Sequence, residues 1–176
     1  MTNTGAAIRV LRYLKMSKDK GICFEGISDD LQLSAYTDTD WASNKDNRRS
    51  TSGVLVMING APVIFKSKMQ QSVAFSTAEA EYMVLSLCAQ RVLWTKSLLK
   101  EMQVQINYAI PIYEYNKSAI AIATNDGYQS RAKHITIRYH FVREQVKDKI
   151  IVLQYTETKP QLADFLTKPI STKKFD

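Results

Sequence analysis

Acidic side chains stand where this chain would pass between elements: Asp38 in "YTDTDW", Glu79 and Glu81 in "STAEAEY", Glu114 in "IYEYN" and Asp164 in "QLADFL". Carboxylates brought together at strand ends and first helical turns are the hard oxygen donors that Mg²⁺ takes, usually with several waters retained. A plainer reading holds for some of them. Negative charge near a helix N-terminus is favoured by the macrodipole, so Glu79 suits a cap better than a ligand.

The elements that would carry these residues can be read from periodicity. Residues 5–16 place Ile8, Leu11 and Leu14 at helical spacing. "KGICFEGISDD" predicts a short strand and then polar turn residues, a seam between an N-terminal appendage and the main domain. "LQLSAYTDTDW" alternates, with Leu31, Leu33, Ala35 and Thr37 on one face and Gln32, Ser34, Tyr36 and Asp38 on the other. "TSGVLVMINGAPVIFKSK" predicts a hairpin around Asn59-Gly60. The longest periodic helix starts after Ser76, where Ser76 and Glu79 form a capping box. A strand over Ile110 to Tyr113 leads through Glu114 and Tyr115 into a short helix from Asn116. A helix over 137–148, a strand "IIVLQYT" and a final helix "PQLADFLTK", with Pro160 in its first turn, complete a mixed α/β order.

Composition sets the partners and the compartment. Lys and Arg number 24 against 17 Asp and Glu, a net charge of +7 that favours a polyanion. Cys23 and Cys88 have neither metal-ligand nor redox spacing, so both are expected as buried small hydrophobes in a reducing intracellular compartment, cytoplasm or nucleus. Trp41 and Trp94 are expected in core or domain-contact positions. Neither a signal peptide nor a membrane span is expected.

Four blocks, "YTDTDWASNKDNRRSTSGVLVMINGAPVIFKSKMQQSVAFSTAEAEYMVL", "NKSAIAIA", "RAKHITIRYHFVRE" and "QLADFLTKPI", together resemble the ribonuclease H domain of copia-type retrotransposon polyproteins, and "RVLRYLK" resembles the segment that joins it to the reverse transcriptase. The resemblance runs from about residue 5 to 170 in family order. It implies a ribonuclease H-like fold, a five-stranded mixed sheet of order 3-2-1-4-5 with helices on both faces. It implies an endonuclease that cleaves the RNA strand of RNA–DNA hybrids with two Mg²⁺ (or Mn²⁺) ions about 4 Å apart. It also implies a parent polyprotein with a reverse transcriptase domain. The domain boundaries it suggests are 1–28 for a connection-like helix and short strand, 29–170 for the ribonuclease H-like domain, and 171–176 for a tail.

Matched residue by residue, the resemblance makes Asp38, Glu81 and Asp164 catalytic metal ligands, with Asp38 bridging both ions and Asp40 at most in a supporting place. The remaining ligand should be the Asp of a pattern like "DNQSA". Here the chain reads "YNKSA", with Tyr115 in that position. A phenol with a pKa near 10 stays neutral, and its ring fills metal space. The charge it lacks is worth about 8 kcal/mol of gross attraction to a divalent ion at about 4 Å and an effective dielectric of about 20, much of it offset by desolvation. Glu114 is the possible rescue, although strand alternation points it to the opposite face unless the strand bulges.

Arg48, Arg49, Lys66, Lys68, Arg131, Lys133 and Arg138 are expected along the backbone of a bound hybrid, for which a solvated surface is the alternative. His134 and His140 read as structural hydrogen-bonders or phosphate contacts rather than general bases, while Gln129 and Thr136 depart from the family pattern. Two functions follow. One is a hybrid ribonuclease impaired at Tyr115; the other is an inactive descendant that serves as a nucleic-acid-binding or protein-interaction module.

Overall fold

The computed structural model describes residues 3–24, 31–125, 133–157 and 161–169. Five strands, β1 (Leu33–Asp40), β2 (Thr51–Ile58), β3 (Ala61–Met69), β4 (Ile110–Glu114) and β5 (Ile151–Tyr155), form one sheet of order β3-β2-β1-β4-β5. β1, β2 and β3 pair antiparallel, whereas β4 runs parallel to β1 and to β5. This is the mixed five-stranded sheet of the ribonuclease H-like fold.

The hairpin between β2 and β3 turns at Asn59-Gly60, both at positive φ (48° and 78°), which an Asn-Gly pair adopts at little cost. One face of the sheet carries α2 (Thr77–Glu101), α3 (Lys117–Thr124) and α4 (Lys133–Lys147). Leu33 and Ala35 of β1, Val54 and Val56 of β2 and Ile110 and Ile112 of β4 point into a core with Leu85, Cys88, Ala89 and Val92 of α2. Alternation therefore leaves Asp38 on the face away from that core.

Among the described residues that second face receives the 3₁₀ turn Leu162–Leu166, where the sequence predicts a helix over "PQLADFLTK". The Thr167 N–H closes on the Asp164 carbonyl, three residues back, which tightens the turn and ends it. Gly53 makes room for it. Gly53 pairs with Asp38 across the ladder, and a Cβ there would lie 2.8 Å from Thr167 Cγ2 and 3.0 Å from the Ala163 carbonyl. Gly53→Ala should therefore destabilise the domain by about 1–3 kcal/mol through overpacking, lowering Tm by roughly 2–4 °C per kcal/mol. Thermal unfolding tests this, and an unchanged Tm would show that the turn does not depend on the close approach.

Several expectations need correction. Residues 21–24 carry no strand, because a strand needs a paired neighbour and these residues are exposed without one; the rest of the expected N-terminal strand lies outside the described residues. Cys23 is exposed, and only Cys88 is buried. Trp41 and Trp94 are both exposed, Trp41 anchored by its indole N–H on the Ala74 carbonyl (3.2 Å). An indole can cover a surface while its N–H bonds the backbone, so neither ring fills the core. The helix expected over 137–148 begins earlier, as α4, and Pro160 lies outside the described residues. The N-terminal helix α1 (Asn3–Met16) forms as expected, with Ile8, Leu11 and Leu14 exposed. Among the described residues no helix is long and apolar enough to cross a membrane.

Candidate functional site

The parallel neighbours β1 and β4 bring Asp38, near the end of β1, close to the residues that follow β4. α2 starts beside them. Its N-cap Ser76 accepts from the Glu79 N–H (3.1 Å), and the Glu79 carboxylate accepts from the Phe75 N–H (2.8 Å), so Glu79 is occupied as a cap. One half-turn later Glu81 is buried, 1% exposed, in the first turns of the same helix. The 3₁₀ turn adds Asp164, also buried.

Asp38 is fully buried and bonded by the Thr167 hydroxyl. Lys168 lies between the two aspartates, its Nζ 3.0 Å from Asp164 Oδ1 and 3.7 Å from Asp38 Oδ2. Burial raises the Asp38 pKa, against the pull of Thr167 and Lys168, and the nearby charges of Asp164 and Asp40 raise it further. Asp40 thus acts on Asp38 through its field.

Tyr115 reaches the same place. Its hydroxyl donates to Glu81 Oε1 at 2.6 Å, and burial followed by the Glu81 charge drives its own pKa up, so the phenol stays protonated. Asp38, Glu81 and Tyr115 feel one another electrostatically, and Asp164 acts on Asp38, so the sequence-predicted residues converge on one cleft.

Glu114 lies on the other face, as alternation requires. Its Oε2 accepts from Thr37 (2.8 Å) and its Oε1 from the Asn116 N–H (2.8 Å). No bulge turns it into the cleft, and β4 pairs in unbroken register with β5. The sequence did not reveal that Glu114 is completely buried and close enough to Glu81 to be, after desolvation, the largest influence raising its pKa. Desolvation also raises the pKa of Glu114 itself.

These shifts have a sign. A carboxyl whose folded pKa lies above its ordinary value near 4.5 binds more protons folded than unfolded. Its contribution is most favourable at low pH and is lost as pH rises through and beyond that ordinary range. Stability should therefore fall with rising pH from about 5 upward, by up to about 1.4 kcal/mol per pH unit for each carboxyl still protonated. Glu114→Gln, which keeps the shape and removes the charge, should flatten that slope in urea unfolding at successive pH values. A wild-type stability that rises from weak acid to neutrality would contradict the sign.

Two ions would need anionic oxygens that are free to ligate. Asp38 Oδ1 and Glu81 Oε2 are buried with no hydrogen-bond partner among the described residues, which suits a cation. The rest does not fit a two-ion set. Glu81 Oε1 accepts from the Tyr115 hydroxyl, the single positive charge of Lys168 already stands beside both Asp38 and Asp164, and no group of three or more His, Cys, Asp and Glu side chains among the described residues could hold a metal ion.

The expected cationic residues divide. Lys66, Lys68 and Arg138 line one pocket beside α2, and sequence reasoning missed its fourth cation, Arg91. Arg48 and Arg49 are exposed in the loop between β1 and β2. Arg131 and Gln129 lie outside the described residues, as do the side chains of Lys133, His134 and Thr136; His140 is exposed on α4.

No family model matches the chain. It is 40% identical over 167 residues to the retrovirus-related Pol polyprotein from transposon RE2 of Arabidopsis thaliana, covering 95% of this chain and 11% of that protein. It is 38% identical over 168 residues to the corresponding polyprotein from transposon TNT 1-94 of Nicotiana tabacum, covering 95% of this chain and 12% of that one. The chain therefore spans only about a tenth of these curated relatives. Among solved structures it resembles LC11-RNase H1, isolated from compost by a metagenomic approach, with a TM-score of 0.55 at 12% identity over 77% of this chain and 92% of that one. The complex of LC11-RNase H1 with an RNA/DNA hybrid gives a TM-score of 0.56 at 11% identity, over 77% and 94%. By its relatives the chain is homologous to a segment of retrovirus-related Pol polyproteins from transposons, and its sheet order and structural neighbours give it a ribonuclease H-like fold.

Proposed function

We propose that this domain recognises RNA–DNA hybrid through phosphate contacts and that its two-metal hydrolysis of the RNA strand is impaired, because Tyr115 stands where a metal-binding Asp belongs. Asp38, Glu81 and Asp164 would be the residues to hold Mg²⁺ or Mn²⁺, whose chemistry there would be activation of a water and stabilisation of the leaving oxygen. The observation that carries the reading is the Tyr115 hydroxyl donating to Glu81 Oε1 at 2.6 Å. An Asp there would be a second acceptor, drawing a cation between itself and Glu81. The phenol instead supplies a proton and satisfies Glu81 without one. Hybrid binding is supported by the net charge of +7 and by the hybrid complex of the structurally similar LC11-RNase H1.

The second reading, an inactive descendant retained for binding nucleic acid or protein, is favoured by Lys168, whose ammonium already occupies the place beside the two aspartates that a cation would take. Cleavage of a labelled hybrid in Mg²⁺ by wild type, Tyr115→Asp and Glu114→Gln, side by side, separates the possibilities. Weak wild-type cleavage that rises on Tyr115→Asp supports impairment. Strong wild-type cleavage abolished by Glu114→Gln would mean that the neighbouring carboxylate has taken over. Strong cleavage indifferent to Glu114 would overturn the metal-site reading.

A further inference from the structure

A pocket of about 220 Å³ lies beside α2, apart from the carboxylate cleft. Its floor is the α2-facing side of the hairpin. Ser52 pairs with Lys68 and Val54 with Lys66 in the β2–β3 ladder, and cross-strand partners share a face. Its wall is a stripe of α2, Met83, Ser86, Leu87, Gln90 and Arg91, spaced three and four residues apart as one helical face requires. Arg138 of α4 also lines it.

The charge in this pocket is one-sided. Lys66, Lys68, Arg91 and Arg138 line it, and none of its described lining residues is acidic. Arg91 Nε and Arg138 Nη1 are buried with no hydrogen-bond partner among the described residues. Buried guanidinium donors left unpaired are costly, and a tetrahedral oxyanion satisfies them with charge-assisted bonds. Gln70 ties the pocket to the cleft. Its Nε2 donates to Ser52 Oγ (2.9 Å) and to the Ala80 carbonyl (3.0 Å), the residue before Glu81, which also accepts from Thr39 (3.4 Å). Gln70 Oε1, buried and without a donor, is an acceptor that a ligand hydroxyl or a water can satisfy.

We propose that this pocket binds a phosphate group of a nucleic-acid backbone, held by the Arg91 and Arg138 guanidinium groups with Lys66 and Lys68 supplying further charge. The proposal rests on the hybrid-binding reading above and gives it an anchoring site outside the carboxylate cleft. At about 1.5 Å of rise per residue, Arg91 stands about 15 Å along α2 from Glu81, or about four nucleotide rises of about 3.4 Å. One bound strand can therefore reach both.

The test uses the full chain and two probes. Anisotropy of a labelled RNA–DNA hybrid is measured across a salt series for wild type, Arg91→Met, Arg138→Met and the control Lys100→Met, a residue in the last turn of α2 that does not line the pocket. The second probe, inorganic phosphate, is titrated while the Arg91 side-chain N–H is followed by NMR. Each pocket variant should weaken hybrid binding about tenfold and lower the salt slope by about one, with Lys100→Met near wild type. Arg91→Lys, which keeps the charge without the fork, should lose less than Arg91→Met. Thermal unfolding identifies any variant that fails to fold, and Arg138→Met then decides in place of Arg91→Met. Wild-type binding that neither pocket variant alters would overturn the pocket while leaving hybrid recognition standing; if phosphate still moved the Arg91 signal, the pocket would be a site for free phosphate, not for a backbone. Absence of wild-type hybrid binding at low salt would overturn hybrid recognition itself and the backbone assignment with it.

Discussion

Tyr115→Asp is expected to raise hybrid cleavage in Mg²⁺ by three or more orders of magnitude over wild type, and Asp38→Asn in that background to abolish the gain. Each 1.4 kcal/mol of transition-state stabilisation is worth about tenfold in rate. A carboxylate facing a divalent ion has about 8 kcal/mol of gross attraction at about 4 Å and an effective dielectric of about 20, and three orders of magnitude need about half of it to survive desolvation. The substitution removes the proton that Glu81 Oε1 now accepts, together with a half-buried ring, and places a negative charge near Asp38 and Glu81. The new charge also raises the repulsion within a cluster where the charge of Glu114 already raises the Glu81 pKa and that of Asp38 raises both. Tyr115→Asp should therefore be less stable than wild type without divalent ions and recover when they are added. A Tyr115→Asp protein as inactive as wild type would locate the defect elsewhere, with Lys168 the first residue to test.

Hybrid affinity should fall about 10³-fold between about 50 and 200 mM salt. Binding to a polyphosphate releases one condensed counterion for roughly every cation that contacts it, so log K falls linearly with log salt. Arg48, Arg49, Lys66, Lys68, Arg91 and Arg138 are the described cations assigned to that contact. Six contacts at about −0.9 each give a slope near −5, and a fourfold rise in salt then costs about three decades. Anisotropy across a salt series measures the slope directly. A flat profile would favour a protein-interaction role.

Much of the fold was legible because its signals are local. Alternation in β1, the Asn59-Gly60 turn and the Ser76–Glu79 cap each depend on neighbours within a few residues, and each stands as expected. Sheet order is not local; it followed from the family resemblance, since no periodicity says that β4 lies beside β1. What the sequence hid was long-range burial. Glu114 looks like any strand-end acid until Thr37, 77 positions away, is seen to bond it inside the sheet. Lys168 had a visible signal, its four-residue spacing from Asp164, but its reach to Asp38 depends on Gly53 leaving space for the 3₁₀ turn. Arg91 sits on a helix buried on several sides, and only the β3 floor reveals it as part of a cationic pocket.

Calorimetric titration of Mg²⁺ into wild type and Tyr115→Asp, without nucleic acid, bears most directly on whether Tyr115 is what unmakes the site. Wild type should give no saturable binding in the millimolar range, and Tyr115→Asp should give a saturable site that disappears on Asp38→Asn. Equally tight, saturable binding to wild type, lost on Asp38→Asn and unchanged by Tyr115→Asp, would show that the phenol does not obstruct the metal site.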